Sequence, residues 1–453
     1  MYQKLIQKYN RQAPRYTSYP TALHFKELEG REKTALFLEK RNKQPRELSL
    51  YIHIPFCSSL CWYCGCTKVI TRNPESSKAY MKRLLLEMDM LSRSLHKDSS
   101  IKHIHMGGGT PTFLTPDELR SLGKNISNLF ALDPDAAFDI ETDPRTITEK
   151  HVSAMADIGC NRVSIGIQDI YEDTQKAINR IQPMELNTKI VHWFREAGIR
   201  HLNVDLVYGL PYQTVERFKH TLEEVCTIDP NRFAIFNYAH VPWMMSSQKL
   251  LERHAMPDAA EKFNILYDAS EYLSRSGYCP IGMDHFAKEE DELALAMLNG
   301  TLQRNFQGYS TRANLDIYGL GMSSISQTGN AYIQNVKDLD TYYDILDTGQ
   351  WPHWKACFLT REDEIRRYAI MRLMCNLTID FDDISRKWNI DARHFFQSSS
   401  ESLDEMMNDG LLVLEENGWQ VTTLGRFFLR NIASTLDQYL NDPKNNTRYS
   451  KTI

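Results

Sequence analysis

The sequence predicts an α/β protein: a partial or full barrel of parallel strands, preceded by an arm and followed by a mainly helical, winged-helix-like unit. Three observations predict it. Between residues 49 and 240, short β-rich runs alternate with amphipathic helical stretches across short connections, as parallel βαβ units do. Chemically distinctive residues recur just past those runs, where a βα barrel gathers its active site. After residue 360 the pattern changes to helices followed by two short apolar runs around Glu416-Asn417-Gly418. An open doubly wound sheet satisfies the alternation equally well.

In chain order, residues 1–46 read as an N-terminal arm and helix, 47–285 as the barrel core, 286–360 as a connecting or cap segment, and 361–453 as the C-terminal unit. The expected core strands are 50–55, 101–106, 137–142, 162–168, 201–207 and 232–238. Between the first two, Met81, Leu84, Leu85, Met88, Leu91 and Leu95 share one helical face. Thr115-Pro116-Asp117-Glu118 opens a helix with a capping hydroxyl, a first-turn proline and a glutamate three residues on. Gly159 and Gly198 stand where helices end. Residues 258–276 read as a further helix. In the C-terminal unit, 361–378, 380–388 and 399–409 read as helices, and the segment is acidic rather than basic, which favours a lid or packing role over DNA binding.

The chain has 453 residues, 42% hydrophobic and 25% charged, with net charge −5, the balance of a globular protein rather than of a nucleic-acid binder. No secretory pattern opens it and no run of apolar residues is long enough for a membrane span, so a cytoplasmic location is expected. No coiled-coil pattern occurs, and a monomer is expected. Nine cysteines, an odd number, do not read as a disulfide framework. Four of them crowd into CSSLCWYCGC at 57–66, with spacing C-x3-C-x2-C-x-C. Thiolates so spaced suit a soft-metal or iron–sulfur site, whereas zinc usually takes two separated pairs. Past the next strand, Gly107-Gly108-Gly109-Thr110 offers close backbone approach. Glu141, Gln168, Asp205 and Ala239 fall at or near later strand ends.

The C-x3-C-x2-C spacing after a first barrel strand resembles the radical S-adenosylmethionine (SAM) superfamily. The likeness is closer still along almost the whole chain. PRYTSYPTA (14–22), YIHIPFC (51–57), CGC (64–66), GGGTPT (107–112), IETDPR (140–145), VSIGIQD (163–169), NVDLVYGLP (203–211), FNYAH (236–240), GMDHFA (282–287) and RNFQGY (304–309) resemble the oxygen-independent coproporphyrinogen III oxidases, also called dehydrogenases. Two departures stand out. Tyr63 occupies a position where some relatives carry Phe, and VPWMMSSQ (241–248) matches no pattern.

The resemblance implies a [4Fe-4S] cluster on Cys57, Cys61 and Cys64, with one iron left to chelate SAM. Reductive cleavage of SAM then gives a 5′-deoxyadenosyl radical that takes hydrogen from a propionate β-carbon. Loss of CO2 and one electron forms a vinyl group, twice per molecule, and yields protoporphyrinogen IX for haem biosynthesis. Two SAM molecules are implied, as is an electron donor such as flavodoxin or ferredoxin. Tyr51, Gly108, Glu141 and Ile325 are implied contacts of one SAM; Tyr63, Gly109, Thr110, Gln168, Arg180, Asp205 and Ala239 of the other or of both. Cys66 belongs to the motif without being an iron ligand, and with Tyr51 and His53 is expected beside the chemistry. A substrate with four carboxylates calls for basic partners, and Arg15, Arg304 and Gln307 are the candidates. The resemblance extends to haem-binding chaperones. That branch carries Phe where this chain has Cys66, and lacks PRYTSYPTA, GMDHFA and RNFQGY. A radical SAM enzyme acting on tRNA fits the acidic composition poorly.

Overall fold

Side chains alternate across a strand, so one face of each core strand can pack while the other faces a ligand. The computed structural model describes residues 2–312, 315–440 and 448–453. Its core strands are β1 (Glu47–Ile54), β2 (Ser100–Gly108), β3 (Leu132–Thr142), β4 (Arg162–Gln168), β5 (His201–Tyr208) and β6 (Arg232–Asn237). All six expected strands are present. Further along lie β7 (Tyr278–Gly282), β8 (His285–Lys288), β9 (Asp316–Leu320), β10 (Ile325–Thr328), β11 (Ala331–Asn335) and β12 (His353–Phe358).

The parallel order is β9-β1-β2-β3-β4-β5-β6. Antiparallel β8 and β7 extend it beyond β6, and β10, β11, β12 and the short strand Lys26–Glu27 extend it beyond β9. The order is linear, with Lys26–Glu27 and β7 at its two ends, so the sheet is an open, partial barrel. Residues 286–360 therefore supply strands of the central sheet as well as connections. Nothing local marks β9 as a parallel strand, because its partner β1 lies some 270 positions earlier.

On β1 to β6 one set of positions is apolar: Leu50, Ile52, Ile140, Ile165, Leu206 and Ile235 are buried in one continuous core with helix residues such as Leu84, Leu122, Met155 and Phe218. Helix Glu75–Ser94 buries Tyr80, Met81, Leu84, Met88 and Leu91 on the expected face. Thr115 caps Pro116–Leu129 with a full capping box: Thr115 N–H donates to Glu118 Oε2 at 2.8 Å, and Glu118 N–H donates to Thr115 Oγ1 at 3.2 Å. Gly159 and Gly198 have φ of +84° and +83°, as helix-ending glycines do.

The opposite, concave face is polar. His103, His105, Asp139, Arg162, Asn203 and Arg232 line a lumen of about 360 Å³. A barrel closed for stability fills its interior with branched apolar side chains. This one keeps its interior hydrogen-bonding and open.

The C-terminal unit comprises helices Arg361–Asn376, Phe381–Trp388 and Ser400–Asn408, with a small sheet of β13 (Thr378–Asp380), β14 (Leu412–Glu415) and β15 (Gly418–Val421). Helices followed by a hairpin match the expected winged-helix-like pattern, and β13 joins the hairpin as a third strand. Its core is shared with the arm: Ile6, Tyr9, Tyr16 and Tyr19 pack against Leu373, Phe428 and Ile432. Arg430 fastens the two, donating to the carbonyls of Pro14 and Lys451 at 3.1 Å each and to that of Ala13. Among the described residues, no helix is long and apolar enough to cross a membrane.

Candidate active site

The loop after β1 carries the thiols. Phe56–Cys57 pairs in parallel with Val69–Ile70, closing residues 57–70 into a short excursion at the strand end. Cys57, Cys61, Cys64 and Cys66 all face one cavity of about 390 Å³, and none is in a disulfide. Arg145 Nη2 lies 3.3 Å and Arg180 Nη1 3.7 Å from Cys61 Sγ. Both guanidiniums are held by Asp143, at 2.6 and 3.3 Å. Two cations beside a thiol cluster favour sulfur in its anionic form. Burial pushes the Cys57 thiol up to about 12, whereas the hydrogen bond with Cys66 brings Cys64 down to about 6. Metal coordination removes these protons outright. Soft donors converge there, and the carboxylate of Asp143 beside them is occupied by arginines. The set fits a sulfur-ligated iron cluster.

Each glycine of the triplet answers a different neighbour. A Cβ on Gly107 would lie 2.7 Å from the Glu141 carboxyl group. Gly108 has φ of +122°, and a Cβ there would stand 2.7 Å from the His53 ring. A Cβ on Gly109 would meet the carbonyl oxygens of Pro55 and Phe56 at 2.6 Å. The close approach read from the sequence is thus made first to the protein itself, which seats the cysteine loop on β2.

Glu141, Gln168, Arg180, Asp205, Tyr63 and Ala239 line the same cavity as the thiols, together with Gly108, Gly109 and Thr110. Burial tends to raise the Glu141 pKa, but the hydrogen bond and charge of His105, together with the Gly108 N–H, outweigh it and hold the carboxyl below its ordinary value. Asp205 goes the other way. Burial, then the nearby Glu141 charge, push it up to about 7, although Ser164 Oγ and Asn203 Nδ2 donate to it at 3.0 and 2.8 Å. Arg180 donates to the Gly166 carbonyl at 2.7 Å. Gln168 adopts φ of +70° at the end of β4.

Tyr51 and His53, on β1, are not part of that lining. His53 Nε2–H donates to the Thr67 carbonyl at 3.1 Å, and its Nδ1 accepts from Tyr51 Oη at 3.0 Å. Burial lowers the His53 pKa to about 4, so the ring is neutral. Arg15 reaches the cavity from the arm, donates to the Asn237 carbonyl and lies 3.8 Å from Asp284. Arg304 and Gln307, on the hairpin Gln303–Asn305 and Gly308–Ser310, line a neighbouring cavity instead. Ile325 is not part of the thiol cavity's lining. It lies on β10, across from the backbone of Gly319, packed near Phe25 and Tyr332.

Asp143, Arg145, Ser164 and Gln248 also line the cavity, beyond the residues expected from the sequence. Asp143 and Arg145 were visible within IETDPR. Gln248 was not, because 241–248 matches no pattern; its amide donates to the Tyr63 and Ala239 carbonyls at 2.9 and 3.1 Å and ties that segment to the cysteine loop.

Comparison with known proteins accords with this geometry. Residues 51–225 match the radical SAM superfamily and residues 359–428 the HemN C-terminal domain. The chain is 41% identical over 451 residues to the oxygen-independent coproporphyrinogen III oxidase of Pseudomonas aeruginosa, covering 99% of this chain and 98% of that one. It is 40% identical over 451 residues to the Escherichia coli enzyme, with the same coverage. The solved structure of coproporphyrinogen III oxidase (HemN) from Escherichia coli, a radical SAM enzyme, superimposes with a TM-score of 0.90 at 39% identity, covering 95% of this chain and 100% of that one. The chain belongs to the oxygen-independent coproporphyrinogen III oxidases, a family of the radical SAM superfamily, whose chemistry implies a [4Fe-4S] cluster and SAM.

Proposed function

We propose that this chain performs the oxygen-independent oxidative decarboxylation of two propionate side chains of coproporphyrinogen III, giving protoporphyrinogen IX in haem biosynthesis. The observation that carries the reading is the convergence of Cys57, Cys61 and Cys64 with Glu141, Arg180 and Asp205 on one mouth that opens into a polar lumen. When bound, the cluster and SAM supply one-electron reductive cleavage and a carbon radical able to take hydrogen from an unactivated C–H bond.

The three cysteines would hold the iron, and the paired guanidiniums of Arg145 and Arg180 would offset negative sulfur. Glu141 and the backbone at Gly108 to Thr110 suit an ammonium group, and Arg180 suits a carboxylate. Asp205 and Gln168 suit ribose hydroxyls, and Tyr63 supplies an aromatic wall. Two SAM molecules would share these contacts: Tyr51, Gly108, Glu141 and Ile325 toward one; Tyr63, Gly109, Thr110, Gln168, Arg180, Asp205 and Ala239 toward the other or both, with Tyr51 and Ile325 set outside the lining of the thiol cavity. Cys66 lines both the thiol mouth and the lumen, and Tyr51, hydrogen-bonded to His53 on β1, stacks on His105 of the lumen wall. Cys66, Tyr51 and His53 would position the substrate carbon and exclude other hydrogen donors. Arg15, Arg304 and Gln307 would meet substrate carboxylates. Electrons would come from a donor such as flavodoxin or ferredoxin, and the chain would act as a cytoplasmic monomer.

The test is an anaerobic assay of iron-reconstituted protein with SAM, reductant, an electron acceptor and coproporphyrinogen III. Protoporphyrin fluorescence after oxidation, with methionine and 5′-deoxyadenosine, is the expected result. SAM cleavage without any porphyrin product, on a protein that retains haem, would favour the haem-chaperone reading instead.

A further inference from the structure

Away from the thiols, the lumen continues into a second cavity of about 380 Å³, where the concave sheet face meets the C-terminal unit. The two share His103, Gln307, Ser310 and Arg312 as wall. Five cationic side chains line the second cavity: Arg41, Arg304, Arg312, Arg367 and Lys387. Two carboxylates, Asp316 and Glu364, oppose them. Asp316 is consumed by Arg41, which donates to both its oxygens at 2.5 and 2.6 Å. The remainder is a marked cationic surplus.

Arg304 is the telling residue. It is only 7% exposed, stacked 4.6 Å over the Tyr309 ring, yet its Nε–H and Nη1–H have no partner in the protein. Burying a guanidinium with free N–H groups is unfavourable unless an acceptor is supplied from outside. Gln307 Nε2 and Trp388 Nε1, on the same walls, are also buried donors without partners. Among the described lining residues, every buried side-chain polar atom left unpartnered is an N–H donor. A pocket arranged for water alone would leave acceptors as well. Donors on several elements, with excess positive charge, select an oxyanion ligand.

We infer that this cavity is the subsite for the carboxylates that the substrate keeps. The inference rests on the proposed reaction, in which two of four propionates lose CO2 and two survive. The surviving pair must be held while the reacting arms face the thiols, and the lumen links both ends. Arg304 and Gln307 serve from the barrel side, and Arg367 and Lys387 from the C-terminal unit, which thereby becomes part of the binding site.

The probe is coproporphyrin III, titrated by fluorescence into the iron–sulfur-loaded protein without turnover. Arg304→Gln and the double variant Arg367→Gln/Lys387→Gln are compared with wild type, with SAM affinity as the control. The expected result is a Kd at least about tenfold weaker in each, with SAM affinity within about twofold. The double variant alters a half-buried and an exposed position, so it stays informative even where Arg304→Gln misfolds. Porphyrin affinity within about twofold of wild type in the double variant would overturn the subsite. Wild-type protein that binds the porphyrin, loses it in the variants and forms no protoporphyrinogen would overturn the proposed reaction and leave carboxylate binding by this cavity established.

Discussion

His105 on β2 and Glu141 on β3 share a hydrogen bond of 3.1 Å between Nε2 and Oε1 across the polar face of the sheet. Glu141 is further fixed by the Gly108 N–H, which donates to Oε2 at 3.2 Å. The imidazole and the amide therefore hold the Glu141 carboxylate, part-exposed on the cavity wall, in its ionised form. Replacing His105 with Leu should weaken SAM binding about tenfold, the order expected for one charge-assisted hydrogen bond, and leave iron content unchanged. Anaerobic equilibrium binding and iron analysis check both parts, and an unaltered SAM affinity would remove His105 from the site.

Cysteine substitutions separate ligands from neighbours. Changing Cys57, Cys61 or Cys64 to Ala should abolish the cluster's charge-transfer absorbance and SAM cleavage together. Cys66→Ala should keep the cluster and slow porphyrin formation. A full cluster with normal SAM cleavage in Cys61→Ala would contradict the ligand assignment.

Gly109 has no room for a methyl group, because the atoms it would strike are the backbone oxygens of Pro55 and Phe56. Gly109→Ala should cost about 2–4 kcal/mol and lower the thermal midpoint, with loss of cluster loading. Gly65, where a Cβ meets nothing within 4 Å, is the matched control. Gly65→Ala should leave the midpoint within a degree or so of wild type.

Asp205 links stability to pH. Its folded carboxyl, raised chiefly by burial to about 7, stands above the unfolded value of about 3.9. Between those values the unfolded chain has released the proton that the folded chain keeps. The unfolded state then binds fewer protons, so stability falls as pH rises from about 4 to about 7 and levels off above. Asp205→Asn should remove that part of the slope. Urea midpoints at several pH values across this window, wild type minus variant, give the measurement; identical slopes would mean that Asp205 titrates normally.

Arg430 binds the arm to the chain's last described segment. Its guanidinium is buried and held down to about 9, mainly by that burial. Arg430→Met should leave the Ala13, Pro14 and Lys451 carbonyls without their donor and cost about 3 kcal/mol. Because Arg15 rides on the same arm, KM for coproporphyrinogen should rise several-fold while SAM cleavage persists. Steady-state kinetics with and without porphyrinogen separate the two effects.

The sequence by itself determined the local chemistry and the regular elements. Alternating apolar positions wrote six core strands, Thr115 and Glu118 wrote a helix start, and C-x3-C-x2-C wrote the cluster loop, because each depends on residues close in the chain. Tertiary structure decided what depends on distant pairing. The placement of β9 beside β1, the clamping of Tyr9, Tyr16 and Tyr19 by the C-terminal core, and the joining of Gln248 to the Tyr63 carbonyl all bring together residues with no shared local signal. The cationic cavity around Arg304 is of the same kind: its walls come from the arm, three parallel strands, a hairpin and the C-terminal helices. Side-chain patterns spaced by two or four residues are legible along a chain, whereas a pocket is a property of surfaces that meet only after folding.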